Sequence, residues 1–495
     1  MGFQNFSIKK IINTFLTIWL IIILIYRIII CFSYKTELSN GESNNIWKAI
    51  NISVGKPIYN NPEKLPLEIF QYTPLSIIPL SGIACLFDEN STYYVHYITI
   101  CGRLIQLLFN IIMLYFIYKL CHQFIRIDKQ ISYFISIISL TLLTHPAFAI
   151  RPDSMLILFI IITIYTFTFF LNSDNKIIPV IIGIFITFCF FIKQDGIFIS
   201  IPLGLFLIIE RKWRKMFILS GYSLIIFSIT IITSQIIFGN FLMPNIIKGL
   251  NNPISYKQLI SVFDRAYSFY AIHIVIGLTL TIFYLTKKYS KLKLISILSL
   301  FYFILAITTS IKLGSWVNYY TPFILFSTIL IIYFLKNIKI NNSNKILPLN
   351  AIVSISMFSM LSLLFTFKQI YTYTSPYISN YNFYKRQYLK SEGVCEQLKT
   401  QYKIKRSDSI LTISPLDKMF LASNSILVNI EYYHLSDFNY TNFKNKRNKG
   451  ISYILLRKNE LIWLKHLSTI FNIDLSDYKS KNIMNYILLT PKTLI

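Results

Sequence analysis

One stretch, "SMLILFIIITIYTFTFFL" (154–171), carries eighteen residues without a charge, and it constrains the fold more than any other feature. An α-helix rises about 1.5 Å per residue, so roughly 18–20 apolar residues cross a hydrocarbon layer of about 30 Å. Comparable runs recur at 11–33, 97–118, 132–150, 177–193, 196–209, 217–238, 268–286, 294–311, 319–335 and 348–367. A soluble core has no use for so many. Hydrophobic residues make up 54% of the chain, and its mean hydropathy is +0.55. The pattern predicts an α-helical polytopic membrane protein with about eleven spans. The first run lacks a small-residue cleavage site, so it is expected to stay as an uncleaved span. Residues 73–87, "TPLSIIPLSGIACLF", are apolar but broken by prolines and a glycine, and are expected to form an interfacial or re-entrant segment.

The basic residues set the orientation. With Lys9 and Lys10 placed in the cytoplasm, alternate loops carry Lys119, Arg126 and Lys129; Lys176; "RKWRK" (211–215); "KKYSKLK" (287–293); and Lys336, Lys339 and Lys345. These loops are short and basic, as cytoplasmic loops should be. The opposite loop 34–96 instead holds Glu37, Glu42, Glu63, Glu68, Asp88 and Glu89. The formal charge of +27 is therefore read as orientation and attraction to anionic membrane lipid. No basic helix or aromatic RNA-binding motif accompanies it, which argues against a nucleic-acid partner. The six cysteines form no CxxC pair and no metal-ligand spacing.

Beyond residue 368 the pattern changes. "SILTIS" (409–414), "SILVNI" (425–430), "ISYILL" (451–456) and "YILLTP" (486–491) read as strands, and "NELIWLKHLSTIF" (459–471) reads as a helix. The division expected is a membrane domain over 1–368 and a small extracytoplasmic α/β domain over 369–495. An odd number of spans places that tail outside.

On this map, polar clusters far apart in sequence fall on one face: Glu37 and Glu42; Arg151, Pro152 and Asp153; "KQDG" (193–196); and "KLGSWVNYY" (312–320). Ionisable groups at membrane depth are costly and mark sites or cavities. Each also has a plainer explanation. Asp153 suits the first turn of a helix, where the dipole favours an anion, with Pro152 leading in. Arg151 can snorkel to headgroups. Lys193 can anchor at the interface, Asn318 and Tyr319 can pack in an aromatic belt, and Gly55, Tyr72 and Pro74 can shape a loop.

The stretch "GESNNIWKAINISVGKPIYNNP…QYTPL" (41–75) resembles the first outer loop of GT-C class polytopic glycosyltransferases. These form the superfamily of protein O-mannosyltransferases, aminoarabinose transferases and rhizobial lipopolysaccharide core transferases. Glu42, Gly55, Tyr59, Tyr72, Pro74 and Leu75 fit its spaced pattern of an acid, G-x-x-x-Y and Y-x-P-L. Arg103 in "GRLIQ" resembles the arginine that opens the family's second helix. "RPDSM", "KQDG" and "GSWVNYY" match blocks carried in the same order by a bacterial branch. Two departures stand out: Gly41 precedes Glu42 where an aspartate is common, and Asp195 replaces a small or hydroxylated residue.

The resemblance implies transfer of a sugar from a polyprenyl-phosphate donor to a glycan, lipid or protein acceptor of the cell envelope. It further implies a multi-pass protein of the bacterial inner membrane that acts at the outer face. A carboxylate accepts the acceptor hydroxyl's proton; Glu42 is the first candidate, Asp153 the second, and Glu37 a supporting acid. Arg151 and Lys193 stabilise the leaving phosphate. Gln194, Asp195, Tyr72, Asn318, Tyr319 and Arg103 complete the expected substrate contacts. A carboxylate near a base also offers oxygen to a divalent metal ion, and the sequence leaves metal dependence open. Two rivals stay in view. A lipid-linked saccharide transporter or flippase would favour charges buried mid-span and symmetric halves. A non-catalytic envelope scaffold would tolerate loss of Glu42.

Overall fold

A computed structural model describes residues 2–337 and 375–492, except 36, 39–40, 66–67, 90, 92, 144–146, 148, 288–289, 377, 406, 423–425 and 429–450. The expected span 348–367 lies outside the described residues.

The chain opens with α1 (Gly2–Cys31), followed by α2 (Glu42–Ser53), α3 (Ile78–Ala84), α4 (Tyr94–Lys119), α5 (Lys129–Leu142), α6 (Asp153–Asn172) and α7 (Ile177–Ile192). It continues through α8 (Ser200–Ile209), α9 (Trp213–Phe238), α10 (Leu242–Ile247), α11 (Tyr256–Ile272), α12 (Leu278–Leu285), α13 (Ser290–Ser310) and α14 (Thr321–Asn337). Among the described residues, seven helical stretches are long and apolar enough to cross a membrane. Three more expected spans appear as shorter helices at Lys129–Leu142, Ile177–Ile192 and Gln194–Ile209. The broken segment 73–87 is a 3-10 turn, Pro74–Ser76, followed by α3.

Two features show how such apolar helices pack. α9 buries only Leu219 and Ser234 and leaves Leu224, Ile225, Ile229 and Ile232 bare, a surface suited to lipid. Where helices meet, small residues bring the backbones close. A Cβ on Gly183 of α7 would stand 3.2 Å from Ser223 Cα of α9. Several buried hydroxyls find partners within their own helix. Ser136, Ser139 and Thr141 of α5 donate to the carbonyls four residues earlier, so none is stranded in an apolar medium.

The two ends of the bundle differ. At one, ion pairs tie the short basic loops together: Lys336–Asp128 at 2.7 Å, Lys293–Glu210 at 2.8 Å and Lys215–Asp174 at 3.5 Å. The other end carries α2, α3, the start of α6, the 193–196 turn and the 3-10 turn Val317–Tyr320.

The tail also sits at that second end. Helix α15 (Tyr381–Thr400) precedes β1 (Ser409–Leu411), α16 (Pro415–Phe420), β2 (Ile426–Val428), β3 (Tyr453–Arg457), α17 (Leu464–Ile470), β4 (Tyr478–Ile483) and β5 (Tyr486–Pro491). The strands form one sheet in the order β2-β1-β3-β5-β4, parallel on the β1 side and antiparallel on the β5 side. Alternation along β3 splits its side chains. Leu455 joins Ile410 and Leu488 in a core shared with Ile46, Trp47 and Ile50 of α2, while Ile454 and Leu456 pack with Leu467 and Phe471. The loop after α1 is therefore held between helical bundle and sheet. Lys56 Nζ also donates to Ala422 O at 2.7 Å, and Tyr93 N donates to Glu392 Oε1 at 3.0 Å.

Strand β4, "YKSKNI", has no apolar alternation and was not expected as a strand. Its central residues are exposed on both faces, and charged lysines protect an edge strand from pairing with another chain. The expected helix 459–471 is a 3-10 turn, Lys458–Trp463, continuing into α17.

Candidate functional site

Glu42 opens α2, behind Gly41 at φ +91°, a left-handed conformation that favours glycine. The departure noted at Gly41 thus has a backbone cause. Glu42 is 0% exposed, as is Arg103 of α4. Arg103 Nε and Nη2 grip the two carboxylate oxygens at 2.9 and 2.8 Å, a bidentate pair. Ile150 N donates to Glu42 Oε1 at 3.1 Å and Leu38 N to Oε2 at 3.0 Å. All four acceptor positions of the carboxylate are used. Arg103 completes its own set on the carbonyls of Ser33 and Lys35. It does not open its helix, as the resemblance implied, but lies nine residues past Tyr94. Asn45 Nδ2 donates to Ile150 O at 2.7 Å, so α2 and the stretch before α6 are stitched directly. Glu37 accepts from the backbone N of Ser43 at 3.0 Å and from its hydroxyl. It serves the helix start, where N–H groups lack partners.

A second buried pair escaped the sequence reading. Lys48 of α2 meets Glu68, and both are nearly closed to solvent. Lys48 Nζ also donates to Pro57 O, and Asn60 Nδ2 to Glu68 Oε2 at 2.6 Å. Asn245 of α10 accepts from Phe70 N at 2.9 Å and donates to Asn60 O at 2.9 Å. These groups fix the loop that leads to Tyr72.

The first turn of α6 carries a different arrangement. Asp153 Oδ2 lies 3.1 Å from Arg151 Nε, and Oδ1 lies 3.2 Å from Lys193 Nζ. Lys193 also reaches Asp195 Oδ2 at 3.3 Å. Asn318 Nδ2 donates to Asp153 Oδ1 at 2.6 Å. Lys193 stands over the Tyr319 ring, 4.4 Å from its centroid. Burial opposes the charge on Arg151, but its neighbours, the Asp153 carboxylate among them, outweigh it and hold the guanidinium pKa above its ordinary value. Gln194 Nε2 donates to Gln71 O, which ties the 193–196 turn to the first loop. Gly196 leaves no room for a side chain, because Cys189 O and Leu156 Cδ1 press against it. The clusters expected to converge do converge. Glu42 binds the backbone of residue 150, and Asp153 binds groups from 193 and 318.

Two clefts flank this turn. One, of about 320 Å³, is lined by Arg151, Gln106, Ser76, Leu80, Phe109 and Met155. The other, of about 410 Å³, is lined by Asp153, Lys193, Asp195, Asn318, Tyr319 and Tyr302 among others. Glu42 borders neither. Among the described residues, no group of three His, Cys, Asp or Glu is placed to hold a metal ion. Lys193 stands between Asp153 and Asp195, where a bridging cation would otherwise sit, so this donor set does not fit a divalent ion.

Residues 98–237, less than a third of the chain, match the family model for dolichyl-phosphate-mannose-protein mannosyltransferase. No curated protein matches the sequence. Solved structures match the fold. ArnT from Cupriavidus metallidurans, bound to undecaprenyl phosphate, is 10% identical with a TM-score of 0.62, covering 96% of this chain and 98% of that one. The oligosaccharyltransferase AglB from Archaeoglobus fulgidus, in complex with an inhibitory peptide and a dolichol-phosphate, is 10% identical with a TM-score of 0.57, covering 97% and 75%. The Archaeoglobus fulgidus oligosaccharyltransferase in complex with Zn and sulfate gives 10%, 0.58, 96% and 73%. The chain thus shares its fold with GT-C class glycosyltransferases and, over 98–237, its sequence pattern with one of their families.

Proposed function

We propose that this chain is an integral-membrane glycosyltransferase that moves a sugar from a polyprenyl-phosphate donor to a glycan, lipid or protein acceptor of the cell envelope, at the outer face of the membrane. The observation that carries this is the half-buried run Arg151–Asp153–Lys193–Asp195 between two clefts, with Asn318 fixing its central carboxylate. The two clefts suit two parts of one donor. The first combines Arg151 with apolar walls and, among the described residues, has no carboxylate in its lining, which fits a lipid phosphate. The second carries the acids and fits the sugar and the incoming hydroxyl.

The chemistry follows from charge. As the bond between sugar and phosphate breaks, negative charge grows on the phosphate, and Arg151 and Lys193 oppose it. The acceptor hydroxyl must lose a proton as it attacks. Of the two candidate bases, Asp153 lines one of these two clefts and Glu42 lines neither of them, so we place proton acceptance on Asp153 and give Glu42 the task of holding the first loop. A membrane domain over 1–368 would carry the site, with the tail 369–495 outside against the first loop. The likeness to proteins solved with undecaprenyl phosphate and dolichol-phosphate supports the donor class.

Mass spectrometry of envelope glycans and lipids in a deletion strain tests the reading. One sugar residue should vanish, return with the wild-type chain, and stay missing with Asp153→Asn. Unchanged glycans and lipids in the deletion strain would overturn it.

A further inference from the structure

The larger cleft holds three polar atoms that no described residue satisfies: Asp195 Oδ1, Asn318 Oδ1 and the Tyr302 hydroxyl. Asp195 and Asn318 already commit their other polar atoms to Lys193 and Asp153. What remains is two acceptors and one hydroxyl, contributed by the 193–196 turn, the turn before α14, and α13. Tyr302 is 2% exposed and lies eight residues short of the end of α13, about 12 Å along the helix axis. A bare hydroxyl at that depth lowers stability, and phenylalanine would fill the same space without it.

We propose that these three atoms receive the hydroxyl groups of the transferred sugar, and that the cleft admits a neutral, hydroxyl-rich sugar while excluding one that bears a carboxylate. The inference rests on the glycosyltransferase reading above and names the substrate class of that site. Unfilled acceptors call for donors, and sugar hydroxyls supply them. A carboxylate in the same place would face Asp195 without a counter-charge, since Lys193 is already shared between two acids. Leu156, Ile157, Leu305 and Pro322 provide apolar wall for the C–H faces of a ring. Tyr302 becomes a specificity-determining residue.

The test uses the full chain purified in detergent micelles and two pairs of probes: neryl phosphate linked to glucose or to glucuronate, and to galactose or to galacturonate. Within each pair only the carboxylate differs. For at least one pair, the neutral conjugate should bind about tenfold more tightly or better. Tyr302→Phe should weaken that conjugate about fivefold, the worth of one net hydrogen bond, while its melting temperature stays level or rises. Asp195→Asn should narrow the gap between neutral and acidic conjugates. Equal or tighter binding of the acidic conjugate in both pairs overturns the inference, as does a Tyr302→Phe chain that binds like wild type. If no conjugate binds at all, the glycosyltransferase reading falls, and this inference falls with it.

Discussion

Glu42 and Asp153 are both buried carboxylates, both paired with arginine, at the same end of one bundle. Their surroundings differ. Glu42 has every lone pair filled and borders neither cleft. Asp153 borders the larger one, beside neighbours with polar atoms that no described residue meets. Residue type and burial alone do not separate an anchor from a working acid. Satisfaction and access do. On the proposed function, the first pair is architecture and the second chemistry.

The contrast can be broken from either side. Arg103→Ala should have the largest effect, because it strands a fully buried carboxylate. Breaking such a pair costs about 3–5 kcal/mol, a large share of a typical stability. Fluorescence-detected size exclusion should show little folded protein, and replacing both partners with methionine should recover some; a well-folded Arg103→Ala chain would sink the anchor reading. Asp153→Asn should lower turnover about 10²- to 10⁴-fold with a smaller loss of thermal stability than Arg103→Ala. Near-normal turnover, measured by mass spectrometry of product, would move the base elsewhere. Lys193→Ala leaves Asp153 and Asp195 without their shared cation. Mn²⁺ at about 100 times its dissociation constant should then stabilise the variant by roughly 2.7 kcal/mol, seen as a raised melting temperature. A wild-type chain that responds equally would show that Lys193 does not fill the cation position. The smallest change is Asn45→Ala, which deletes one hydrogen bond to Ile150 O and should cost about 1 kcal/mol with turnover nearly intact. A large loss of turnover there would make the anchor and the working acid one unit.

Much of this arrangement was legible in the chain. Run length located helices at ten of the expected positions, seven of them long and apolar enough to cross a membrane, because an apolar medium leaves a helix little choice. Charge placed Arg151, Asp153, Lys193 and Asn318 together before any coordinates did. The partner of Glu42 was not legible, since bidentate pairing across 61 residues depends on helix rotation that no local pattern encodes. Lys48 was hidden inside a stretch taken for loop, and only tertiary packing reveals a short helix whose lysine points at Glu68. Tyr302 falls within the apolar run 294–311; its signal is an unsatisfied oxygen, which exists only in three dimensions. β4 was missed because an edge strand exposed on both faces lacks the alternation that marks a strand.

The clamping of residues 42–70 between bundle and sheet bears on how the molecule comes into being. Ile46, Trp47 and Ile50 leave the ribosome early, whereas Leu416, Phe420 and Leu488, which close over them, leave late. A half-made chain therefore has its charges but not the lid that steadies them. On the proposed function, competence then awaits the last stretch of the chain.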